Sequence, residues 1–324
     1  MGEFSIYTLI VIGIVGVLPY RFITYKHRAV YLALLNIFVY ILWSGAATIV
    51  LITEIFAGWA TYIYISRKRD SSKRKLYMVV LIIFVIAVLL VYKYVFTSFI
   101  ANKYTGILAF TVPIGISYYS FKIISFIVDV YLGKIEGAKF TDYVAYISMF
   151  HQIVSGPISR YDEIEPYFHK EISFLEFRQA CYRILKGLFY KFVIANRLSL
   201  YNNTVFENYK NYPSISLIMT VFFYGIELYA DFCGYSEIVI GICELYGFQI
   251  RENFKQPYLA LNIKEFWKRW HISLSNWLKD YIYIPIGGNR KGKVRQKLNI
   301  FIVFLVSGIW HGSTIPYLVW GMWH

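Results

Sequence analysis

Apolar runs separated by short basic segments set the pattern of this chain. A helix needs about 20 residues to cross a hydrocarbon core of ~30 Å. Candidate spans lie at Phe4–Tyr20, Val30–Trp43, Ala46–Ile65, Met78–Tyr94, Ile107–Val130, Val144–Val154, Ala180–Ile194, Ser214–Phe232, Tyr235–Phe248 and Leu298–Trp310. Several are too short for an independent crossing and are expected to be re-entrant, interfacial or buried. Basic clusters fall at Arg21–Arg28, Arg67–Lys75, Lys134–Lys139 and Arg290–Lys297. The positive-inside rule puts these loops in the cytoplasm and the N-terminus outside. Phe4–Tyr20 follows Glu3 rather than a basic segment, and no small-residue cleavage site comes after it, so it is expected to be a retained span.

Composition strengthens that picture. Of 324 residues, 58% are hydrophobic and 20% aromatic, with a mean hydropathy of +0.49, well outside the range of a soluble domain. The predicted fold class is an all-α polytopic membrane protein. Neither an internal repeat nor a low-complexity linker divides it, so a single membrane-embedded domain over residues 1–324 is the simplest partition. The net charge of +14 would suit nucleic acid, but the aromatics lie inside the apolar runs rather than among the Lys and Arg, which excludes that class. Cys181, Cys233 and Cys243 are odd in number and lack metal-ligand spacing, so neither a disulfide framework nor a metal site is expected.

Ionisable groups interrupt several spans: Asp129, Glu227, Asp231 and Glu237. Such groups are costly in lipid unless they face protein or water, which implies a polar interior. The carboxylates of Tyr229–Glu237 fit acid–base work, or they neutralise Lys and Arg of neighbouring helices, the commoner use. A transporter or flippase pathway along Asp129, Asp231 and Glu237 is a further alternative.

The last apolar run holds a histidine. Leu298–Trp310, thirteen residues, rises roughly 20 Å as a helix, so His311 is expected at membrane depth, with Gly308, Gly312 and Pro316 permitting a break around it. Broken backbone at that depth needs protein or a water-filled cavity beside it. An imidazole kept neutral there is a general base for a hydroxyl, or a core histidine bonded to a carbonyl; the residues alone leave both open. Lys264–Tyr281 reads as an amphipathic interfacial helix, with Phe266, Trp267, Trp270, Leu274, Trp277, Leu278 and Tyr281 within about 120° of arc. His271 projects at the edge of that stripe, where a histidine taken alone is more often structural. Ile284–Lys293 is a glycine-rich basic turn whose amides and cations suit the phosphates of a coenzyme, or a simple cytoplasmic turn, and it lacks the Walker spacing. No G-x-S-x-G nucleophile motif occurs.

Two segments in sequence are more specific than their parts. EFWKRWHISLSNWLKDYIYIPIGGNRKG (Glu265–Gly292), followed by SGIWHGSTIPYLVWGMWH (Ser307–His324), resembles the membrane-bound O-acyltransferase (MBOAT) family. PIGISYYSFKIISFIVDVYLGK (Pro113–Lys134), FHQIVSGPISRY (Phe150–Tyr161), GLFYKFVIANRL (Gly187–Leu198) and YADFCGYSEIVIGI (Tyr229–Ile242) agree with it. The IPIGGNRKG turn is similar to the branch that O-acetylates alginate and other envelope polysaccharides; the D-alanyl transferases of teichoic acid usually lack this glycine pair. The resemblance implies a multi-helix bundle around a central tunnel, in the cytoplasmic membrane and surrounded by lipid. It implies no bound cofactor, an acyl thioester such as acetyl-CoA as donor, and a polysaccharide hydroxyl as acceptor. A secreted or membrane-anchored acetyltransferase of the SGNH type is the implied partner. D-alanyl transfer is the rival within the same family.

Carried over by motif, His311 matches the essential histidine and His271 the second. Trp310 is expected to shape the cavity, with Asn276, Asp231 and Arg290 lining the donor site or tunnel. Family members continue past the WG-x-x-H motif with further helices, whereas this sequence stops at His324.

Overall fold

The computed structural model describes residues 3–67, 71–94, 113–169, 174–312 and 314–324, and among these the secondary structure is helical throughout. In chain order the helices are α1 (Glu3–Phe22), α2 (Tyr25–Ser44), α3 (Thr48–Arg67), α4 (Ser71–Leu90), α5 (Ile116–Tyr131), α6 (Phe140–Ser148), α7 (Phe150–Ile153) and α8 (Tyr161–Ile164). There follow α9 (Phe174–Leu188), α10 (Asn196–Glu207), α11 (Ser214–Leu245), α12 (Ile263–Arg269), α13 (Ile272–Leu278), α14 (Gly292–His311) and α15 (Ile315–Trp323). Residues 91–94, Phe189–Ala195 and Lys279–Tyr283 continue α4, α9 and α13 as π-helical turns.

The expected spans recur with adjusted limits. Val144–Val154 is interrupted at Met149, whose ψ of 98° ends α6 before α7 begins. Ser214–Phe232 and Tyr235–Phe248 are one 32-residue helix, α11, because Gly234 serves packing rather than a break. Leu298–Trp310 is the later part of α14, which starts at Gly292. The early residues of Ile107–Val130, and Lys68 and Arg69 of the basic cluster, lie outside the described residues. Among the described residues, the stretches Tyr25–Arg67, Ser72–Tyr94 and Ser214–Leu245 are long and apolar enough to cross a membrane, and Ile6–Phe22 is shorter. Their outer faces carry exposed Val11, Val15, Leu34, Phe38, Ile83, Val221 and Phe222, as helices in contact with lipid require.

The helices pack as two compact units, each drawn from separate stretches of sequence. The first takes residues 1–26, 155–157 and 167–272. Its axis is the pair α9 and α11, which meet through small residues. Backbone atoms of Gly234 and Ile238 fill the space where a Cβ on Gly187 would go, those of Gly187 and Lys191 do so at Gly234, and the Ala180 carbonyl does so at Gly241. In lipid, where apolar burial supplies little drive between helices, such close approach gains dispersion contact. Ion pairs run along the same seam. Arg183 reaches Glu237 and Glu244 at 3.0 Å and Glu252 at 3.4 Å, Lys186 reaches Glu237 at 3.1 Å, and Lys191 pairs with Asp231. Glu227 accepts a hydrogen bond from Asn202 Nδ2 at 2.6 Å. The carboxylates of α11 therefore neutralise the cations of α9 and the turn after it. On the other side α1 leans on α11 with Gly13 against Ile242, and Tyr20 meets Tyr246 edge-on at 5.0 Å.

The second unit takes residues 27–154, 158–166 and 273–324, and α5 is its centre. Twelve of the sixteen residues of α5 are buried. Phe126 is packed by Tyr62, Tyr143 and Tyr161 at ring distances of 5.6, 4.6 and 5.1 Å. Several polar groups in this core are tied to backbone. Asn36 donates to the Ala145 carbonyl at 3.0 Å, Tyr40 to the Ile114 carbonyl at 2.8 Å, and Lys122 to the Tyr146 carbonyl at 3.0 Å. At the end of α5, Asp129 accepts from Lys134 at 2.8 Å and from the Tyr281 hydroxyl at 2.5 Å.

The glycine seam gives the first prediction. Gly234→Val is expected to destabilise the protein by about 3 kcal/mol, because overpacking a close backbone contact forces the two helices apart. Gly225→Ala on the same helix, whose Cβ would meet only the Tyr258 hydroxyl at 3.6 Å, is expected to change stability by less than about 1 kcal/mol. Thermal unfolding of the two variants in one detergent compares them directly.

Candidate active site

Helix α14 carries His311 as its last residue. Its entry is fixed by the glycine-rich turn before it. Gly287, Gly288 and Gly292 adopt φ of 115°, 54° and 84°, values that strain any side chain with a Cβ. The fully buried Asn299 ties this turn to the helix by donating to the Gly288 carbonyl at 2.8 Å. Arg290 is exposed on the turn, and its amide donates to the Gly287 carbonyl at 3.1 Å.

At the other end the helix passes through Gly308 without interruption and stops at Gly312. Gly308 therefore does not break the helix, contrary to expectation. It admits α15 instead, because the Tyr317 carbonyl and the backbone of Gly321 occupy the place of its Cβ. Pro316 lies in the first turn of α15, where a missing N–H costs nothing. His311 thus stands at the turn between two closely packed helices. Its imidazole is exposed in this chain, framed by Trp310 at 4.8 Å, Trp320 at 5.2 Å and Tyr317 at 6.5 Å between ring centroids. It is open on one side rather than enclosed. His324, one turn beyond Trp320, lies 3.0 Å by its Nδ1 from the Trp320 carbonyl.

Trp310 is held from below by α5. Phe121 stacks against Trp310 at 5.2 Å and 17°, and against Trp277 of α13 at 4.0 Å and 16°. Trp277 Nε1 donates to the Phe121 carbonyl at 3.1 Å. Three helices of the second unit are joined by these rings, and Asn276, beside Trp277, is half-buried. Arg160 lies over the ring of Tyr281 at 4.2 Å and pairs with Asp280 at 3.1 Å, which fixes the π turn that follows α13.

The end of the α4 segment closes on the same place. The Tyr94 hydroxyl lies 2.7 Å from the Ile309 carbonyl and 3.1 Å from the Gly312 carbonyl, on either side of His311. Lys93 Nζ lies 5.5 Å from the centroid of the Trp310 ring. Between this segment and the α14–α15 turn runs an apolar cleft of about 530 Å³, lined by Leu90, Val91, Tyr94, Ile309, Gly312 and Ile315 among others. Sequence reading missed Lys93, Tyr94 and Phe121. The signal was a lysine inside an apolar run, LLVYKYVF, which deserved the same weight as the carboxylates named in other spans.

His271 and Asp231 belong to the first unit, whereas Trp310, His311, Asn276 and Arg290 belong to the second. The expected continuous helix over Lys264–Tyr281 is two helices, α12 and α13, broken at Trp270–His271. Asn262 caps α12 by accepting from the Glu265 amide at 2.9 Å, and Glu265 accepts in return from the Leu261 amide at 2.9 Å. That amide and Arg269 hold the Glu265 carboxyl below its ordinary range. His271 takes a left-handed φ of 43° at the break. It is buried, its Nδ1 lies 3.2 Å from Asn253 Oδ1, and Phe232 meets its ring edge-on at 4.6 Å. The Ile272 amide donates to the Asn253 carbonyl at 2.9 Å, so Asn253 holds both the ring and the bend. Asp231 is half-exposed and engaged by Lys191.

Residues 128–324 match the membrane-bound O-acyltransferase family, MBOAT. The chain is 41% identical over 214 residues to the probable alginate O-acetylase AlgI of Pseudomonas fluorescens, a match that covers 65% of this chain and 43% of that protein. It is 30% identical to the peptidoglycan O-acetyltransferase of Helicobacter pylori, over 91% of this chain and 62% of the relative. The teichoic acid D-alanyltransferase of Bacillus subtilis is 29% identical, over 65% of this chain and 56% of its own length. The chain thus spans about half the length of the curated relatives it matches. Its apolar helices and this match define a multi-pass membrane protein. The chain belongs to the membrane-bound O-acyltransferase family.

The bend at His271 is testable by itself. His271→Asn is expected to keep the fold with a loss of about 1 kcal/mol, since Asn accepts left-handed backbone. His271→Val is expected to lose about 3 kcal/mol or more, because a β-branched side chain is strained there. Melting temperatures in detergent rank the two.

Proposed function

We propose that this protein is an O-acyltransferase that moves an acetyl group from a cytoplasmic thioester toward a hydroxyl of a cell-envelope polysaccharide. The observation that carries the reading is His311, held at the turn between α14 and α15 with an aromatic frame on one side and an apolar cleft beside it. An imidazole so placed has an open face toward an acceptor and neighbours that fix its orientation. Acetyl transfer is preferred to D-alanyl transfer because the higher identities are to O-acetylating relatives and the glycine turn Ile284–Lys293 resembles theirs.

In this mechanism His311 takes the proton of the acceptor hydroxyl as its oxygen forms a bond to the acyl carbon. The C–S bond of the thioester then breaks, and the proton passes to the departing thiolate. The exposed Arg290 and the amides of its turn are assigned to the phosphates of a coenzyme donor such as acetyl-CoA. His271 is assigned donor positioning, Trp310 the shape of the acyl site, and Asn276 and Asp231 support of the donor path. The expected setting is the cytoplasmic membrane, with an SGNH-type acetyltransferase as the partner that carries the acyl group onward. A transport pathway is less well supported, since Asp129, Asp231 and Glu237 are each engaged by a cation.

Transfer of labelled acetyl from acetyl-CoA, measured in membranes that carry the chain, tests the reading. His311→Ala is expected to abolish transfer, a loss of at least about 10³-fold, while the protein stays inserted with an unchanged melting temperature. Wild-type transfer by the folded His311→Ala variant would overturn it.

A further inference from the structure

A cavity that the reaction does not use lies in the second unit, where its basic loops gather. It measures about 520 Å³, and its walls include Ser66 near the end of α3, Arg74 in the first turn of α4, Val130 near the end of α5, and Gly133, Ile135 and Glu136 of the loop that follows. The loop wall is fixed locally. Gly133 takes a left-handed φ of 74°. Its amide donates to the Val130 carbonyl at 3.1 Å, and the Lys134 amide reaches back to the Asp129 carbonyl at 2.9 Å, the paired bonds that end a helix sharply. Ile135 is buried beyond this turn, and Glu136 is exposed.

Two opposite charges line this cavity without pairing. Arg74 Nη2 donates to the Tyr131 carbonyl at 3.3 Å, and the guanidinium lies 5.8 Å from the centroid of the Tyr131 ring. Neither contact neutralises it, and its Nε is buried without an acceptor among the described residues. Among the described residues, neither Arg74 nor Glu136 forms an ion pair, with each other or with a third group. Lys134, by contrast, is committed to Asp129 at 2.8 Å. A buried N–H without an acceptor is costly, and unlike charges that share a cavity without meeting leave room for a ligand that meets both.

The ligand follows from those charges and from the place. A guanidinium and a serine hydroxyl bind a phosphate ester, whereas a carboxylate in the same wall repels a ligand that is only anionic. A group with both a phosphate and a primary ammonium satisfies the two charges. Helices α3 and α4 belong to stretches long and apolar enough to cross a membrane. The cavity lies where the first ends and the second begins, beside the exposed Arg67, Lys73 and Lys75, which is the level of phospholipid headgroups. We propose that this cavity binds the headgroup of a phosphatidylethanolamine, with Arg74 and Ser66 on the phosphate and Glu136 on the ammonium. The bound lipid joins the ends of α3, α4 and α5, and the inference is independent of the acyltransferase reading above.

The test uses the full chain in detergent, titrated with short-chain phosphatidylethanolamine, phosphatidylcholine and phosphatidylglycerol of equal chain length, with the unfolding temperature as readout. Wild type is expected to reach half of its maximal shift at a phosphatidylethanolamine concentration about tenfold lower than for the other two lipids. Phosphatidylcholine has a trimethylammonium that donates no hydrogen bond to Glu136, and phosphatidylglycerol has no cation. Glu136→Gln is expected to bring the three lipids within about twofold of one another, with the melting temperature of the lipid-free protein unchanged. Arg74→Gln is expected to weaken all three by about tenfold; if that variant fails to fold, Glu136→Gln decides the matter by itself. Equal titration of the wild type by the three lipids, or a preference that survives Glu136→Gln, would overturn the proposal. Soluble phosphoethanolamine forms a separate arm: a shift at the same concentration as the lipid would assign the site to a water-soluble zwitterion and overturn the lipid. Acetyl transfer is not read in this experiment, so its failure leaves the acyltransferase reading untouched.

Discussion

The second unit depends on one contact, the stacking of Trp277 and Trp310 on Phe121. Aromatic pairs of this kind add roughly 0.5–1.5 kcal/mol beyond the area they bury, but their larger effect is geometric. Phe121 belongs to a helix of which twelve of sixteen residues are buried, so α13 and α14 are both referred to a part of the core that has little room to move. The indole N–H of Trp277 fixes the register further by bonding to the Phe121 carbonyl. The orientation of His311 is inherited from this arrangement through its neighbour Trp310.

The first unit solves a different problem. Its two main helices carry Arg, Lys, Asp and Glu at depths where apolar residues would be cheaper. The charges are tolerable because they are paired across a seam that glycine and alanine keep narrow. Close backbone contact and ion pairing are thus mutually dependent. A wider seam would lengthen the pairs, and unpaired charges would make the close approach costly.

Much of this was legible in the sequence. Hydropathy located α1 and α3 within two residues but began α2 and α4 five and seven residues late, and the motifs around Trp270–His271 and Trp310–His311 identified the family that comparison then showed. The missing parts have physical reasons. Periodicity treated Lys264–Tyr281 as one helix because the aromatic stripe continues in phase, and a single left-handed residue at His271 leaves no trace in hydropathy. Gly234 and Gly308 resemble helix breakers in sequence, whereas in the fold each is a place where another backbone comes close. Lys93 was overlooked because one cation in LLVYKYVF barely changes the average of the run. Asn253, which holds His271, is eighteen residues away and belongs to no motif.

The π-helical turns at residues 91–94, Phe189–Ala195 and Lys279–Tyr283 have an evolutionary consequence. Each contains a side chain discussed above: Lys93 over Trp310, Lys191 with Asp231, and Tyr281 with Asp129. A π turn is the form a helix adopts when it absorbs an extra residue without shifting what lies on either side. Loss of one codon within such a turn would return the backbone to ordinary α-helix, while rotating the polar side chain by about 100° away from its partner. Among the described residues, these three segments are therefore places where small changes of length can redirect a charged or phenolic group while the flanking helices stay intact.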